Sequence, residues 1–154
     1  LHLTDLPLSP IRMSLRPDFT LEHLRQRSAR GLPGLVGFRV VELADGLLHA
    51  ELDVRAEVLA VNGYLHAATV IALADTAAGF GCLAHLPPGA ENFTTIELKA
   101  NFVSTARDGT IVARARPAHL GNATQVWDAE VTRKADGRRI ALFRCTQMVL
   151  WPRA

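Results

Sequence analysis

The sequence predicts an α+β fold in which an antiparallel sheet surrounds one long buried helix, and three observations carry that reading. The stretch 67–84 is apolar nearly all round, built of Ala, Leu, Ile and Gly, with one lone carboxylate, Asp75. Four strand-like runs follow it, separated by glycine-bearing turns. In the first of these runs, apolar and polar residues alternate. A helix with no polar face needs something broad to cover it, such as a curved sheet.

Each element follows from its residues. Residues 19–30 read as a short helix: Leu21 and Leu24 share a face, Thr20 can cap it, and Gly31 followed by Pro33 stops it. A turn-rich link, Gly31-Leu32-Pro33-Gly34, leads to two β-prone runs at 36–43 and 47–54, joined by the hairpin signal Ala44-Asp45-Gly46. The length and alanine content of 67–84 favour helix over strand. Strands are then expected at 91–103, 110–120, 124–134 and 138–150, punctuated by Arg107-Asp108-Gly109, Leu120-Gly121-Asn122 and Ala135-Asp136-Gly137 and linked as short hairpins. In the first of them Ile96, Leu98, Ala100 and Phe102 form one face and Thr95, Glu97, Lys99 and Asn101 the other. That parity turns Thr95 away from the buried helix.

Residues 1–17 read as an N-terminal arm, broken by Pro7, Pro10 and Pro17, and 18–154 as a single domain. The chain opens on Leu1, and Met13 begins a more ordinary start, so the residues before it are read as a tag remnant or a dispensable extension. The net charge of +2 is spread along the chain and aromatic residues make up 6%, which argues against a nucleic-acid stripe or a base-stacking platform. No segment reads as a membrane span or secretory signal, so no membrane partner is expected. Cys82 and Cys145 lie in apolar runs without CxxC spacing, and a reduced cytoplasmic setting is the simplest reading.

The residues Gly63-Tyr64-Leu65-His66-Ala67-Ala68, followed by Ala72-Leu73-Ala74-Asp75-Thr76-Ala77-Ala78-Gly79, resemble the Gly-x-x-His-Gly-Gly…Asp signature of hotdog-fold acyl-CoA thioesterases of the phenylacetate-degradation (PaaI-like) type. The run 93–102 is similar to that family's central strand, and 125–131 and 140–146 also fit. The resemblance spans roughly residues 35–150. It implies the hotdog fold, a homodimer or dimer of dimers with active sites at the subunit interface, and hydrolysis of an acyl-CoA to acid and free CoA.

By the same resemblance Asp75 is the catalytic carboxylate, as general base or as nucleophile, and the Ala67 backbone N–H binds the thioester carbonyl oxygen. A helix N-terminus suits that second task on physical grounds, since it offers free N–H groups and partial positive charge. Ala67 and Ala68 stand where the family has glycines; alanine keeps the N–H and adds a methyl group. His66 is a support residue at the helix entrance, and Thr95 matches a Ser/Thr that assists from the strand. Asn62, Gly63, Ala68 and Gly79 are the candidate substrate-binding positions, although Asn62 before Gly63 also reads as a turn residue. Without the motif, Asp75 would read as a helix cap or the partner of a buried cation, and Thr95 as an ordinary β-branched strand residue.

Arg114, Arg116, Lys134, Arg138 and Arg139 could supply charge for the coenzyme A phosphates, or form a solvated strand face. No third ligand joins His66 and Asp75 at metal-site spacing, and no glycine-rich phosphate loop is present, so neither a metal nor a cofactor is called for. Three rival readings remain. Asp75-Thr76-Ala77 also matches the short loop of dimeric aspartic proteases, but its alanine-rich flanks favour a continuous helix. A hydratase on the same fold would need a His and acid pair. A non-catalytic acyl-CoA sensor or scaffold on the same fold would bind acyl-CoA without releasing free thiol.

Overall fold

The computed structural model describes residues 14–153. Most of the expected N-terminal arm, including everything before Met13, lies outside the described residues. Residues 14–17 dock on the domain: the Leu15 N–H donates to Asp45 Oδ1 (3.1 Å) and the Arg16 N–H to the Ala84 carbonyl (2.8 Å).

The expected N-terminal helix is present, and a second helix follows it. α1 (Leu21–Ser28) starts at Thr20, whose hydroxyl accepts from the His23 N–H at 3.1 Å. α2 (Gly31–Val36) follows at once where a turn-rich link was expected. Its proline lies in the first turn, where a backbone N–H is not needed. Gly34 allows the tight junction, because a Cβ there would stand 2.4 Å from the Ala29 carbonyl oxygen. Gly37, at φ 79°, ends the helix. Val36 therefore closes a helix and does not open a strand.

Six strands, β1 (Arg39–Ala44), β2 (Leu47–Asp53), β3 (Asn92–Phe102), β4 (Thr110–Leu120), β5 (Thr124–Arg133) and β6 (Arg139–Leu150), form one antiparallel sheet in the order β1-β2-β4-β5-β6-β3. A short 3-10 turn, Ala56–Val58, leads toward α3 (Ala67–Ala84), the long apolar helix. The β1–β2 link turns on Gly46 at φ 68°. The link from β3 to β4 is not a hairpin, contrary to expectation. β3 pairs with β6 at the far edge, and the chain then crosses the end of the sheet: Val103 and Ser104 donate to the Ile140 carbonyl, Ala106 accepts from Leu65, and Gly109 accepts from Val54. Those backbone bonds satisfy a crossing segment that a two-strand turn would not need.

The sheet's inner face, with Leu48, Leu52, Ile111, Trp127 and Val131 fully buried, covers α3. Small residues on the helix bring the layers close. A Cβ at Gly81 would meet the Trp127 ring at 2.5 Å, and one at Gly79 would meet the Phe93 ring at 2.8 Å. α3 is long and apolar enough to cross a bilayer by composition, but here the sheet buries most of it. Below its last turn the buried His85 ring accepts from the Gly46 N–H at Nε2 (3.0 Å) and donates from Nδ1 to the Gly81 carbonyl (2.8 Å). Gln125 and the Trp127 indole extend that chain, so the buried polar groups at this end are paired.

Candidate active site

The entrance to α3 is a tight turn followed by a cap. Asn62 Oδ1 accepts from the Tyr64 N–H (3.2 Å), Gly63 takes φ 80°, and Ala60 and Tyr64 close the loop through a 2.7 Å backbone bond. Asn62 and Gly63 therefore shape the approach to the helix, and the Asn62 carbonyl is committed to the turn. The His66 N–H bonds the Val58 carbonyl and the Thr69 hydroxyl donates to the same oxygen at 2.8 Å, which anchors the helix start to the 3-10 turn.

His66 is the N-cap, and it disposes of the helix's first donors in a particular way. Its Nδ1 accepts from the Ala68 N–H (2.9 Å), and its carbonyl accepts from Thr69 and Val70. An Nδ1 that accepts is unprotonated, so the ring's proton sits on Nε2. Among the described residues the Ala67 N–H has no acceptor, and Ala67 is exposed. One helix-terminal donor is thus left facing outward, with the positive end of α3 behind it. The alanines cost nothing here: no non-glycine among the described residues has positive φ, and both sit in the first helical turn, where alanine is favoured.

Asp75 lies half-buried in the middle of α3, toward the β3–β6 edge. Burial pushes its carboxyl above the usual carboxylate range, and the Thr95 hydroxyl, 3.5 Å away, pulls it partly back. Thr95 therefore points at the helix, which corrects the expected alternation. β3 carries a register shift between Thr95 and Glu97, so Ile96 is an extra residue. Phe93 and Thr95 face inward before the bulge, opposite Val149 and Gln147, and Leu98 and Ala100 face inward after it, opposite Cys145 and Phe143. A period-two pattern read straight through the bulge inverts one half of the strand.

One residue beside the Asp75–Thr95 pair lies outside the sequence motif. Gln147 on β6 is fully buried; its Oε1 accepts from the Thr95 hydroxyl (2.8 Å) and its Nε2 donates to Cys145 Sγ (3.2 Å). Burial, with the nearby Asp75 charge adding to it, pushes the Cys145 thiol up to about 12. A signal was present, since Ala141, Phe143, Cys145, Gln147 and Val149 share one parity and the glutamine is the polar member of an inward row.

The remaining candidates are dispersed. Gly79 is buried and its missing side chain admits the Phe93 ring; Ala68 is exposed beside Ala67. Lys134 pairs with Glu51 (2.9 Å) and Arg139 with Glu130 (2.7 Å). Arg114 and Arg116 line a groove of about 510 Å³ with Lys99 and Arg144, on the outer face of the sheet. The sheet stands between these arginines and Asp75, so they cannot serve a substrate held at the same chain's carboxylate.

Residues 62–140 match the Thioesterase superfamily. The chain is 30% identical over 116 residues to a 1,4-dihydroxy-2-naphthoyl-CoA hydrolase of Listeria monocytogenes, covering 75% of this chain and 93% of that protein. A crystal structure of a mutant of thioesterase PA1618 from Pseudomonas aeruginosa superposes with a TM-score of 0.83 at 27% identity, covering 88% of this chain and 97% of that one. The E. coli PaaI protein of the phenylacetic acid degradation operon shares the fold, with a TM-score of 0.72 at 22% identity over 85% of this chain and 96% of that one.

Proposed function

We propose, for a chain that belongs to the thioesterase superfamily and is a hotdog-fold thioester hydrolase, that its substrate is an acyl-CoA or aryl-acyl-CoA cleaved to free acid and CoA. Asp75 acts as general base on a water molecule or as nucleophile, and the Ala67 N–H polarises the thioester carbonyl. The observation that carries this reading is that α3 presents an outward, uncommitted N–H at its start and a desolvated carboxylate in its middle. The relative named for a naphthoyl-CoA supports a CoA thioester with a bulky acyl group.

The two groups belong to different subunits in this reading. Asp75 lies eight positions beyond Ala67 on the helix, about 12 Å along the axis, whereas both must reach one reacting carbonyl. A second copy closes that gap. The free edge of β3 is where it would pair: this strand exposes Ile96, Leu98 and Phe102 and, among the described residues, has a neighbour on one side only. A homodimer built there, alone or doubled into a tetramer, places the β3–Asp75 side of each chain near the other chain's helix start. The buried, unpaired thiols Cys82 and Cys145 support a reducing compartment such as the cytoplasm.

Free-thiol release across a panel of acyl-CoAs, for wild type and Asp75→Asn, tests the proposal. Asp75→Asn is expected to lose on the order of a hundredfold or more in kcat. Activity within a few-fold of wild type would return Asp75 to a structural role. Tight acyl-CoA binding without thiol release by the wild type would favour the sensor.

A further inference from the structure

We infer that Gln147 is a positioning residue for Asp75: by turning its amide end over end, it keeps the chain Cys145, Gln147, Thr95, Asp75 hydrogen-bonded whether the carboxylate is ionised or protonated. The inference rests on Asp75 being the group that takes a proton. It names a residue outside the motif that carried the family resemblance.

Four groups stand in line: Cys145 Sγ is 3.2 Å from Gln147 Nε2, Gln147 Oε1 is 2.8 Å from Thr95 Oγ1, and Thr95 Oγ1 is 3.5 Å from Asp75 Oδ1. The threonine hydroxyl has one proton to give and two acceptors beside it. Given to Asp75, the longer contact, that proton lowers the carboxyl; given to the glutamine carbonyl, the shorter one, it leaves the oxygen's lone pairs facing Asp75. The latter suits a protonated Asp75, which donates to Thr95, which donates to Gln147, which donates to sulfur. An ionised Asp75 needs the opposite polarity. A half-turn about the amide's terminal torsion, a soft and roughly two-fold rotation, supplies it. The thiol then donates to Oε1, Nε2 donates to Thr95, and Thr95 donates to the carboxylate. Donors and acceptors match in both cases.

Gln147 has no exposed surface, so water cannot repair a mismatch there. An amide is the side-chain group that offers a donor at one end and an acceptor at the other. A general base changes protonation state in every turnover, and an environment matched to only one state would oppose that change. The titratable group that the Asp75 charge reaches is the Cys145 thiol on β6, which in turn feels Glu97 on β3 and acts on Cys82 on α3. The buried inward residues of β2, β4 and β5 and the whole of α2 carry none. In the proposed dimer the helix start of a second copy, with its His66, completes the surroundings.

The test follows the Asp75 carboxyl itself by carbon NMR of protein labelled at aspartate, assigned by loss of its signal in Asp75→Asn, together with kcat/KM against pH. Gln147→Met strands the Thr95 proton when Asp75 is protonated, so the Asp75 midpoint and the acid limb should fall by about one pH unit. Gln147→Glu sets a second carboxylate nearby, and both should rise by about as much. Opposite shifts from two side chains of similar length are not a packing effect. Thr95→Val cuts the chain in its middle and should raise the midpoint, which covers the case in which the Gln147 variants do not fold. An Asp75 midpoint that stays put in folded variants, or moves the same way in both Gln147 variants, overturns the relay. Full activity in Asp75→Asn instead sinks the reading of Asp75 as base, whatever the glutamine does.

Discussion

At the start of α3 the side chains are exposed and the proposed chemistry belongs to the backbone; about two turns on, at Asp75, it belongs to a half-buried side chain. The first region tolerates change, because any residue that enters the helix with ordinary φ presents the same N–H, as the two alanines do where the resembled family has glycines. The second does not. Asp75 depends on a bulge in β3 that turns Thr95 inward and on a register that sets Gln147 opposite it. A donor built from main chain is robust to sequence, whereas a carboxylate tuned by burial is only as good as the strands around it.

The sharpest way to break that contrast is to remove the backbone donor while keeping the helix. Proline is well tolerated at the first helical position, and His66, with φ −69° and ψ 136°, already has the extended conformation that precedes a proline. Ala67→Pro should therefore fold and lose about a hundredfold in kcat, read from thiol release. Mixing it with Asp75→Asn then locates the two groups. In half of the reassorted dimers one of the two sites is intact, so about a quarter of wild-type activity should return. No recovery after verified exchange would place both groups in one chain.

Next in size is the packing that holds Asp75 in place. Gly81→Ala drives a methyl group into the Trp127 ring and should cost about 1–3 kcal/mol, measured as a lower denaturant midpoint. An unchanged midpoint would mean that the helix-to-sheet distance is softer than the contacts indicate. The smallest expected effect concerns the stability cost of the carboxylate itself. Because burial raises Asp75 in the folded state, the protonated form is favoured by folding; that stabilisation is present below the ordinary carboxylate range and is lost as pH rises through the raised value. Asp75→Asn should accordingly be more stable than wild type at neutral pH, with the gap closing on acidification. A gap of constant size from pH 7 to pH 3 would show that titration of Asp75 contributes nothing to it.

Much of this was legible in advance for reasons that lie in single residues. The apolar run 67–84 favoured a covered helix, Thr20 offered a cap, and the glycines at 46, 109 and 137 mark turns in which each takes positive φ. The motif around His66 and Asp75 was equally visible, since spacing along a helix is local information. What escaped was long-range. Local pattern cannot show that residues 31–36 coil back on Ala29, that β3 travels to the far edge of the sheet, or that an inward glutamine on β6 will meet a threonine on β3.

By itself the sequence determined the first short helix, the long helix and the six strands, that the long helix must be enclosed, and that an N–H and a carboxylate stand on it, because hydrophobic period, capping chemistry and turn residues act between near neighbours. Only the tertiary structure decided strand order, the inward turn of Thr95, and the burial that raises Asp75. A one-residue bulge reverses the face of every residue beyond it, and desolvation exists only once the sheet has closed over the helix.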